Sequence, residues 1–70
     1  MFYTHQESTH NEISKVRKSL GFTQAELAEK TSVTRQTIIA VEKGNYTPSV
    51  LLALKLAQAL NKPVEELFWL

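Results

Sequence analysis

The spacing of apolar residues beyond residue 10 is helical, and no run of alternating apolar and polar residues is long enough to indicate a sheet. We expect a first helix to begin after a cap at Asn11 or Thr9 and to end at Gly21, a residue that suits the left-handed position after a helix. Its inward positions are Ile13, Val16 and Leu20. The start of the pattern therefore predicts a helix.

Two capping patterns predict the next two helices. Thr23 and Glu26 are spaced as a capping box, which begins a second helix that ends near Lys30. Thr34 caps a third helix, which stops at Gly44. Because only about three residues link these helices, the chain must turn sharply between them, as in a helix-turn-helix motif that presents its second helix outward.

The last third of the chain predicts two more helices. Thr47 followed by Pro48 is a start signal, because a capping hydroxyl precedes a proline at the first helical position. This fourth helix runs to about Leu60, and the segment 61–63 breaks it. Residues 64–68 then form a short fifth helix with acidic residues in its first turn.

The outward face of the third helix carries Arg35, Gln36 and Lys43, with Ile39 among them, when each residue is turned by about 100°. In the major groove of DNA, arginine pairs with guanine, glutamine pairs with adenine, and an aliphatic side chain meets the thymine methyl group. Lys43, at the far end of the helix, suits a phosphate better than a base. The alternative is an ordinary solvated face, although the exposed β-branched Ile39 favours a contact.

The charge distribution agrees with this interpretation more than the net charge does. The chain has 70 residues, enough for one domain, and a net charge of only +1. Residues 13–43 hold six basic and three acidic residues, a net +3, whereas the rest of the chain sums to −2. Because few phosphate contacts are available, we expect a moderate salt dependence of DNA binding.

The composition argues against several other functions. The chain has no cysteine, no aspartate and only two glycines, which leaves no disulfide, thiolate metal site or glycine-rich phosphate loop. His5 and His10 have the wrong spacing for two metal ligands on one helix face. We therefore expect no enzymatic activity, no metal and no cofactor. The absence of a signal peptide and of an apolar run near 20 residues predicts a soluble cytoplasmic protein that does not bind a membrane.

Residues 22–44 resemble the helix-turn-helix of the lambda-repressor and Cro-like (XRE-type) family of transcriptional regulators. The blocks Thr-Gln-x-x-Leu-Ala, Arg-Gln-Thr-Ile and Glu-Lys-Gly keep the spacing of that family. The continuation Asn-Tyr-Thr-Pro-Ser, with Leu-Ala-Leu-Lys-Leu-Ala after it, is similar to its small stand-alone members, so the likeness covers roughly residues 12–68. The resemblance implies a compact, all-α, five-helix DNA-binding domain over residues 11–70, after an N-terminal arm of residues 1–10.

The resemblance also implies a role for each candidate residue. The expected base contacts are Thr34, Arg35, Gln36, Ile39 and Ala40. The expected phosphate contacts are Gln24, Thr37, Lys43, Asn45 and Tyr46. Gln24 could instead be a simple first-turn residue, Thr37 could be partly buried, and Tyr46 could pack over the fourth helix. Arg17 and Glu42 match a structural pair of charges that ties the first helix to the third.

Two positions depart from the family pattern. Ser32 stands in the tight turn where glycine is usual, and a non-glycine residue in a left-handed conformation costs roughly 1 kcal/mol. Ile39 stands where relatives often carry a polar residue, so the resemblance implies no base preference for that position.

The fourth helix is apolar over an arc of about 220°, although a helix packed on one side needs an arc of only about 100°. Either its own domain encloses the helix, or part of the arc meets a second subunit. The resemblance implies a homodimer that reads two half-sites about one DNA turn apart. The interface candidates are Leu51, Leu52, Leu56, Leu67, Phe68, Trp69 and Leu70.

The first ten residues allow two interpretations: a disordered tail, or a short strand in which Phe2 and Tyr3 pair with the C-terminal residues. Function also has an alternative. We expect a sequence-specific regulator, more specifically a repressor, that binds a palindromic operator in double-stranded DNA as a homodimer. The alternative is an antitoxin-like or interaction-only helical domain with a protein partner. Retention of Arg35, Gln36 and Gln24 together favours DNA binding.

Overall fold

The computed structural model describes residues 10–70, which form five helices and one antiparallel pair of short strands. In chain order, the elements are β1 (His10–Asn11), α1 (Ile13–Ser19), α2 (Gln24–Thr31), α3 (Arg35–Glu42), α4 (Val50–Leu60), α5 (Val64–Leu67) and β2 (Phe68–Trp69). The expected all-α, five-helix fold with a short strand pairing is confirmed.

The predicted capping box begins α2. The Thr23 hydroxyl accepts the backbone N–H of Glu26 at 3.0 Å, and the Glu26 carboxylate accepts the backbone N–H of Thr23 at 2.8 Å. These two hydrogen bonds satisfy donors that a helix N-terminus otherwise leaves unpaired. The pKa of Glu26 is lowered chiefly by the hydrogen bond from the backbone N–H of Thr23, and secondly by the hydrogen bond with the Thr23 hydroxyl. Both bonds stabilise the ionised carboxylate.

The turn between α2 and α3 depends on a serine in a left-handed conformation. Ser32 has φ 60° and ψ 39°, as expected for the position that is usually glycine. The backbone N–H of Val33 donates to the carbonyl oxygen of Ala28 at 3.0 Å, which closes the end of α2. Thr34 then caps α3 by accepting the backbone N–H of Thr37 at 3.2 Å. Local hydrogen bonds therefore close the turn that leads from α2 into α3.

The start of α4 was predicted wrongly. The helix begins at Val50 and is capped by Ser49, not by Thr47 with Pro48 in the first turn. The Ser49 hydroxyl accepts the backbone N–H of Leu52 at 3.1 Å. Two hydroxyl residues near this boundary can each cap a helix, and the capping pattern alone does not choose between them.

The core lies between the helices, and each of the five helices contributes at least one residue to it. Its members are each at most 6% exposed: Ile13, Leu27, Ala28, Ile38, Val41, Leu52, Leu56, Leu60 and Leu67. α4 contributes three of these leucines and packs against both α2 and α5. One face of α4 therefore lies in the core of its own domain, in line with the first of the two interpretations of its apolar arc.

The burial corrects three of the residues proposed for a dimer interface. Leu52, Leu56 and Leu67 are 6%, 0% and 0% exposed within a single chain, so they are not available to a partner. Phe68 is half-buried against the same core. The other three candidates remain on the surface: Leu51, Trp69 and Leu70 are 64%, 45% and 96% exposed.

The strand pair joins the two ends of the described chain. His10 lies opposite Trp69, with ring centroids 6.2 Å apart, and Asn11 lies opposite Phe68. The side chain of Asn11 also donates to the carbonyl oxygen of Val41 at 2.9 Å and accepts the N–H of Ile13 at 3.1 Å. His10 and Asn11 are therefore tied to the C-terminal strand and, through Asn11, to α3.

The interpretations that involve Phe2, Tyr3, His5 and the cap at Thr9 lie outside the described residues. Across residues 10–70, no helix has the length and apolar character that a membrane span requires. Over the same range, no three His, Cys, Asp or Glu side chains lie close enough together to hold a metal ion.

Candidate nucleic-acid interface

The exposed face of α3 is available for a ligand because the opposite face is fixed in the core. Ile38 and Val41 are both 0% exposed. Arg35 and Gln36 lie on the surface, and neither side chain has a hydrogen-bond or salt-bridge partner among residues 10–70. These two residues therefore present unpaired donors from a rigid helix, which is what direct reading of bases requires.

The other proposed base contacts differ in how free they are. Ile39 and Ala40 are half-buried on α3, so each exposes only part of its apolar side chain. Thr34 is exposed, but its hydroxyl caps α3 and lies 3.1 Å from the hydroxyl of Thr37. Thr37 is half-buried, as its structural alternative proposed. The geometry therefore favours Arg35 and Gln36 as the principal readers.

A buried salt bridge connects α1 to α3. The Nε of Arg17 lies 2.7 Å from Oε2 of Glu42, and its Nη2 lies 3.3 Å from Oε1. The third donor, Nη1, bonds to the carbonyl oxygen of Phe22 at 2.8 Å. The two side chains are only 8% and 7% exposed, so Arg17 and Glu42 form the pair that the resemblance implied and hold the third helix against the first.

Gln24 is attached to the same carboxylate. Its Nε2 donates to Oε1 of Glu42 at 3.1 Å, so Glu42 on α3 is shared between α1 and α2. Gln24 was expected at a phosphate, and no pattern in the sequence connects it with Glu42. The two residues are 18 positions apart, which is outside the reach of any local spacing rule.

A groove of about 510 Å³ lies next to this network. It is lined by Ser14, Arg17, Lys18, Thr23, Gln24, Ala25, Arg35 and Glu42. Lys18 and Arg35 are exposed cations, while the charge of Glu42 is compensated by Arg17. Lys18 was not among the candidate residues, although its position in the last turn of α1 marks a surface cation.

The N-terminus of α2 lines the same groove and presents two free backbone N–H groups there. Thr23 takes the N–H of Glu26 with its hydroxyl and the N–H of Leu27 with its carbonyl oxygen. No acceptor among residues 10–70 takes the N–H of Gln24 or Ala25. Free N–H groups at a helix N-terminus bind phosphate well, because the helix dipole adds partial positive charge there.

In the loop after α3, two backbone N–H groups are already used within the chain. Gly44, at φ 78°, reverses the chain, and its N–H bonds to the carbonyl oxygen of Val41. The N–H of Asn45 bonds to the carbonyl oxygen of Ala40 at 3.0 Å. The backbone N–H groups of Gly44 and Asn45 are therefore not available to a phosphate.

The side chains of that loop are on the surface. Lys43 and Asn45 are exposed, and Tyr46 is 46% exposed beside a depression that Thr37 and Leu51 also line. Tyr46 is thus partly packed toward α4 and partly free. A tight turn that presents a helix with unpaired donors, between a groove with two exposed cations and a polar loop, is the geometry of a helix-turn-helix DNA-binding domain.

Comparison with known proteins gives the same class. The family model described as "Helix-turn-helix" (HTH_3) matches residues 13–67. The chain is 47% identical over 60 residues to the HTH-type transcriptional regulator YgzD of Bacillus subtilis (strain 168), which covers 86% of this chain and 91% of YgzD. It is 56% identical over 57 residues to an HTH-type transcriptional regulator of Methanothermobacter thermautotrophicus, covering 80% and 83% of the two chains.

A solved structure agrees with the fold. The restriction-modification controller protein C.AhdI of Aeromonas hydrophila superimposes with a TM-score of 0.74 at 31% identity, over 79% of this chain and 83% of that one. The chain belongs to the HTH_3 helix-turn-helix family. Its relatives are DNA-binding transcriptional regulators and not enzymes.

Proposed function

We propose that this protein is a sequence-specific repressor that binds a palindromic operator as a homodimer and reads it with α3 in the major groove. The observation that carries the proposal is the position of Arg35 and Gln36. Both are exposed and unpaired among residues 10–70, on a helix whose opposite face is fixed in the core. The base contacts would be Thr34, Arg35, Gln36, Ile39 and Ala40.

Phosphate contacts would lie on both sides of that helix. On the side of the groove, a phosphate would contact Gln24, the free backbone N–H groups at the start of α2, and Lys18, which was not among the residues predicted from the sequence. The loop side supplies Lys43, Asn45 and Tyr46, and Thr37 lies between the two. Contacts on both flanks fix the register and orientation of a protein on the duplex, whereas the bases in between supply the specificity.

The homodimer is supported by the outer face of α4. Val50 and Leu54 are 76% and 52% exposed, and Ala53 and Ala57 are half-buried beside them. The four residues have the i, i+3, i+4, i+7 spacing of a helix–helix seam and span an arc of about 100°. Together with Leu51, Trp69 and Leu70, they would form the interface with a second copy.

Repression and a cytoplasmic location complete the proposal. A dimer bound to an operator blocks access to that DNA by its position alone. The relatives that the chain resembles over most of their length are regulators of transcription, and DNA in a bacterial or archaeal cell lies in the cytoplasm.

In vitro selection of bound DNA from a random pool tests the proposal. We expect a palindromic site whose half-sites lie about 10–10.5 base pairs apart, centre to centre. A single enriched half-site would argue against the homodimer. Failure to enrich any sequence would contradict DNA reading itself and would favour the interaction-only alternative.

A further inference from the structure

Three helices meet at one buried carboxylate, and the acceptor positions of that carboxylate are divided between two donors. Oε2 of Glu42 takes Nε of Arg17 at 2.7 Å, while Oε1 takes Nη2 of Arg17 at 3.3 Å and Nε2 of Gln24 at 3.1 Å. The salt bridge alone would explain a structural role for Glu42. The bond to Gln24 is an additional contact, made to a residue at the edge of the DNA-facing groove.

The chemistry of the bond determines which end of the Gln24 carboxamide faces inward. An ionised carboxylate only accepts hydrogen bonds, so the NH₂ group of Gln24 must point toward Glu42. One N–H of that group is used, and the second remains as a donor. If the carboxamide turned over, its oxygen would face the carboxylate of Glu42, and two acceptors repel each other.

The held carboxamide lies where a phosphate would bind. Gln24 is the first residue of α2, beside its own free backbone N–H and that of Ala25. Lys18 and Arg35 line the same groove. A donor that is already ordered loses less conformational entropy when it binds than one that moves freely in solvent.

We propose that Glu42 is a positioning residue for DNA binding, which acts through Gln24 by fixing the carboxamide with its NH₂ group available to a phosphate. This inference rests on the proposed function, because it needs a DNA ligand in the groove. It assigns to Glu42 a second role besides its salt bridge with Arg17.

A double-mutant cycle on affinity for the selected DNA site tests the inference. Glu42→Gln removes the charged acceptor, and Gln24→Met removes the donor while keeping its length. We expect E42Q to weaken binding about tenfold in the wild-type background but less than about threefold in the Q24M background. Equal losses in both backgrounds, or no loss from E42Q, would overturn the proposal.

A matched control separates charge from position. Glu29→Gln makes the same substitution at an exposed site of α2 and changes the net charge equally. We expect E29Q to bind at least as tightly as the wild type, because it removes a negative charge. If E29Q weakened binding as much as E42Q, the loss could not be assigned to Gln24 and the proposal would fail.

Two further measurements remain decisive if E42Q does not fold. Arg17→Met with Glu42→Met replaces the ion pair by apolar side chains, a change that buried pairs often tolerate. The cycle then pairs this double substitution, in place of E42Q, with Q24M: we expect it to weaken DNA binding about tenfold when Gln24 is present but less than about threefold in the Q24M background. Equal losses in both backgrounds would overturn the proposal. In the unmodified protein, NMR should show slower solvent exchange for the side-chain amide of Gln24 than for the exposed Gln36 and Gln58. Equal exchange rates would overturn the proposal.

The outcome is distinguishable from failure of the proposed function. If the wild-type protein enriches no DNA, the proposed function fails, and the NMR experiment alone then reports whether Glu42 holds Gln24. If the wild type binds its site and the two substitutions are independent, the proposed function stands and the positioning role is wrong.

Discussion

The guanidinium of Arg17 and the carboxylate of Glu42 form a buried salt bridge, with Nε 2.7 Å from Oε2 and both side chains less than a tenth exposed. A buried ion pair is a weak source of net stability, since desolvation of the two charges offsets their attraction. Loss of one partner is costly, however, because the other charge stays buried without compensation. In this fold the pair fixes the angle between α1 and α3.

The first prediction concerns this pair. We expect Arg17→Ala to lower the free energy of unfolding by about 3–5 kcal/mol, measured by urea denaturation. The double substitution Arg17→Met with Glu42→Met should cost much less, because no buried charge is left unpaired. If the double variant were as unstable as Arg17→Ala, the loss would come from packing rather than from charge.

The turn of the helix-turn-helix motif gives a second prediction. Ser32 has φ 60°, a conformation that costs a non-glycine residue free energy. Ser32→Gly should therefore raise the free energy of unfolding by about 0.5–1 kcal/mol. Ser19→Gly, a control in the last turn of α1, should lower it by about 0.5 kcal/mol. Loss of stability in S32G would mean that the serine side chain contributes a contact that outweighs the backbone cost.

The capping box of α2 predicts a pH dependence. The pKa of Glu26 lies below its ordinary value of 4.5, chiefly because its carboxylate accepts the backbone N–H of Thr23. A pKa that is lower in the folded state stabilises the fold above the unfolded value, and this stability is lost as the pH falls through the folded value. The wild type should therefore exceed Glu26→Gln in stability above pH 4.5, with the difference closing as the pH falls below it.

Thermal unfolding across this pH range checks the prediction. Glu29→Gln makes the same substitution at an exposed position of the same helix, outside the capping box, and serves as the control for the change of side chain itself. A stability difference between the wild type and E26Q that stayed constant through this pH range would contradict the role of the ionised box.

The proposed dimer gives a fourth prediction. Leu54→Glu places a charge in the centre of the α4 seam and should weaken dimerisation by about 2 kcal/mol or more. Leu20→Glu makes the same change at a leucine that is 46% exposed near the end of α1 and should leave the dimer intact. Sedimentation equilibrium measures both. If Leu54→Glu dimerised as strongly as the wild type and Leu20→Glu, the seam would be excluded from the interface.

Local patterns predicted the parts of this fold that depend on neighbours in the chain. The capping box of Thr23 with Glu26, the cap at Thr34 and the left-handed Ser32 are each set by a few adjacent residues, and each is present in the structure. The start of α4 was missed because Thr47 and Ser49 are both able to cap a helix, and tertiary packing decides between them.

Properties that depend on distant parts of the chain could not be predicted. Periodicity shows that α4 is apolar over more than half of its circumference, but it does not show which leucines face the core, so Leu52 and Leu56 were assigned to the wrong surface. The bond between Gln24 and Glu42 joins two helices across 18 residues and follows only from the assembled fold. The exposed face of α3 was predicted because Ile38 and Val41 mark its buried side.

The most direct test of the central claim is the effect of Arg35→Ala on sequence preference. Affinities of the wild type and R35A are measured for the selected site and for all its single-base variants, with Gln58→Ala as an exposed control on α4. We predict a loss of about 1–3 kcal/mol on the selected site and a relaxed preference at one base pair of each half-site. An equal loss on every sequence would show that Arg35 holds a phosphate and would contradict base reading by α3.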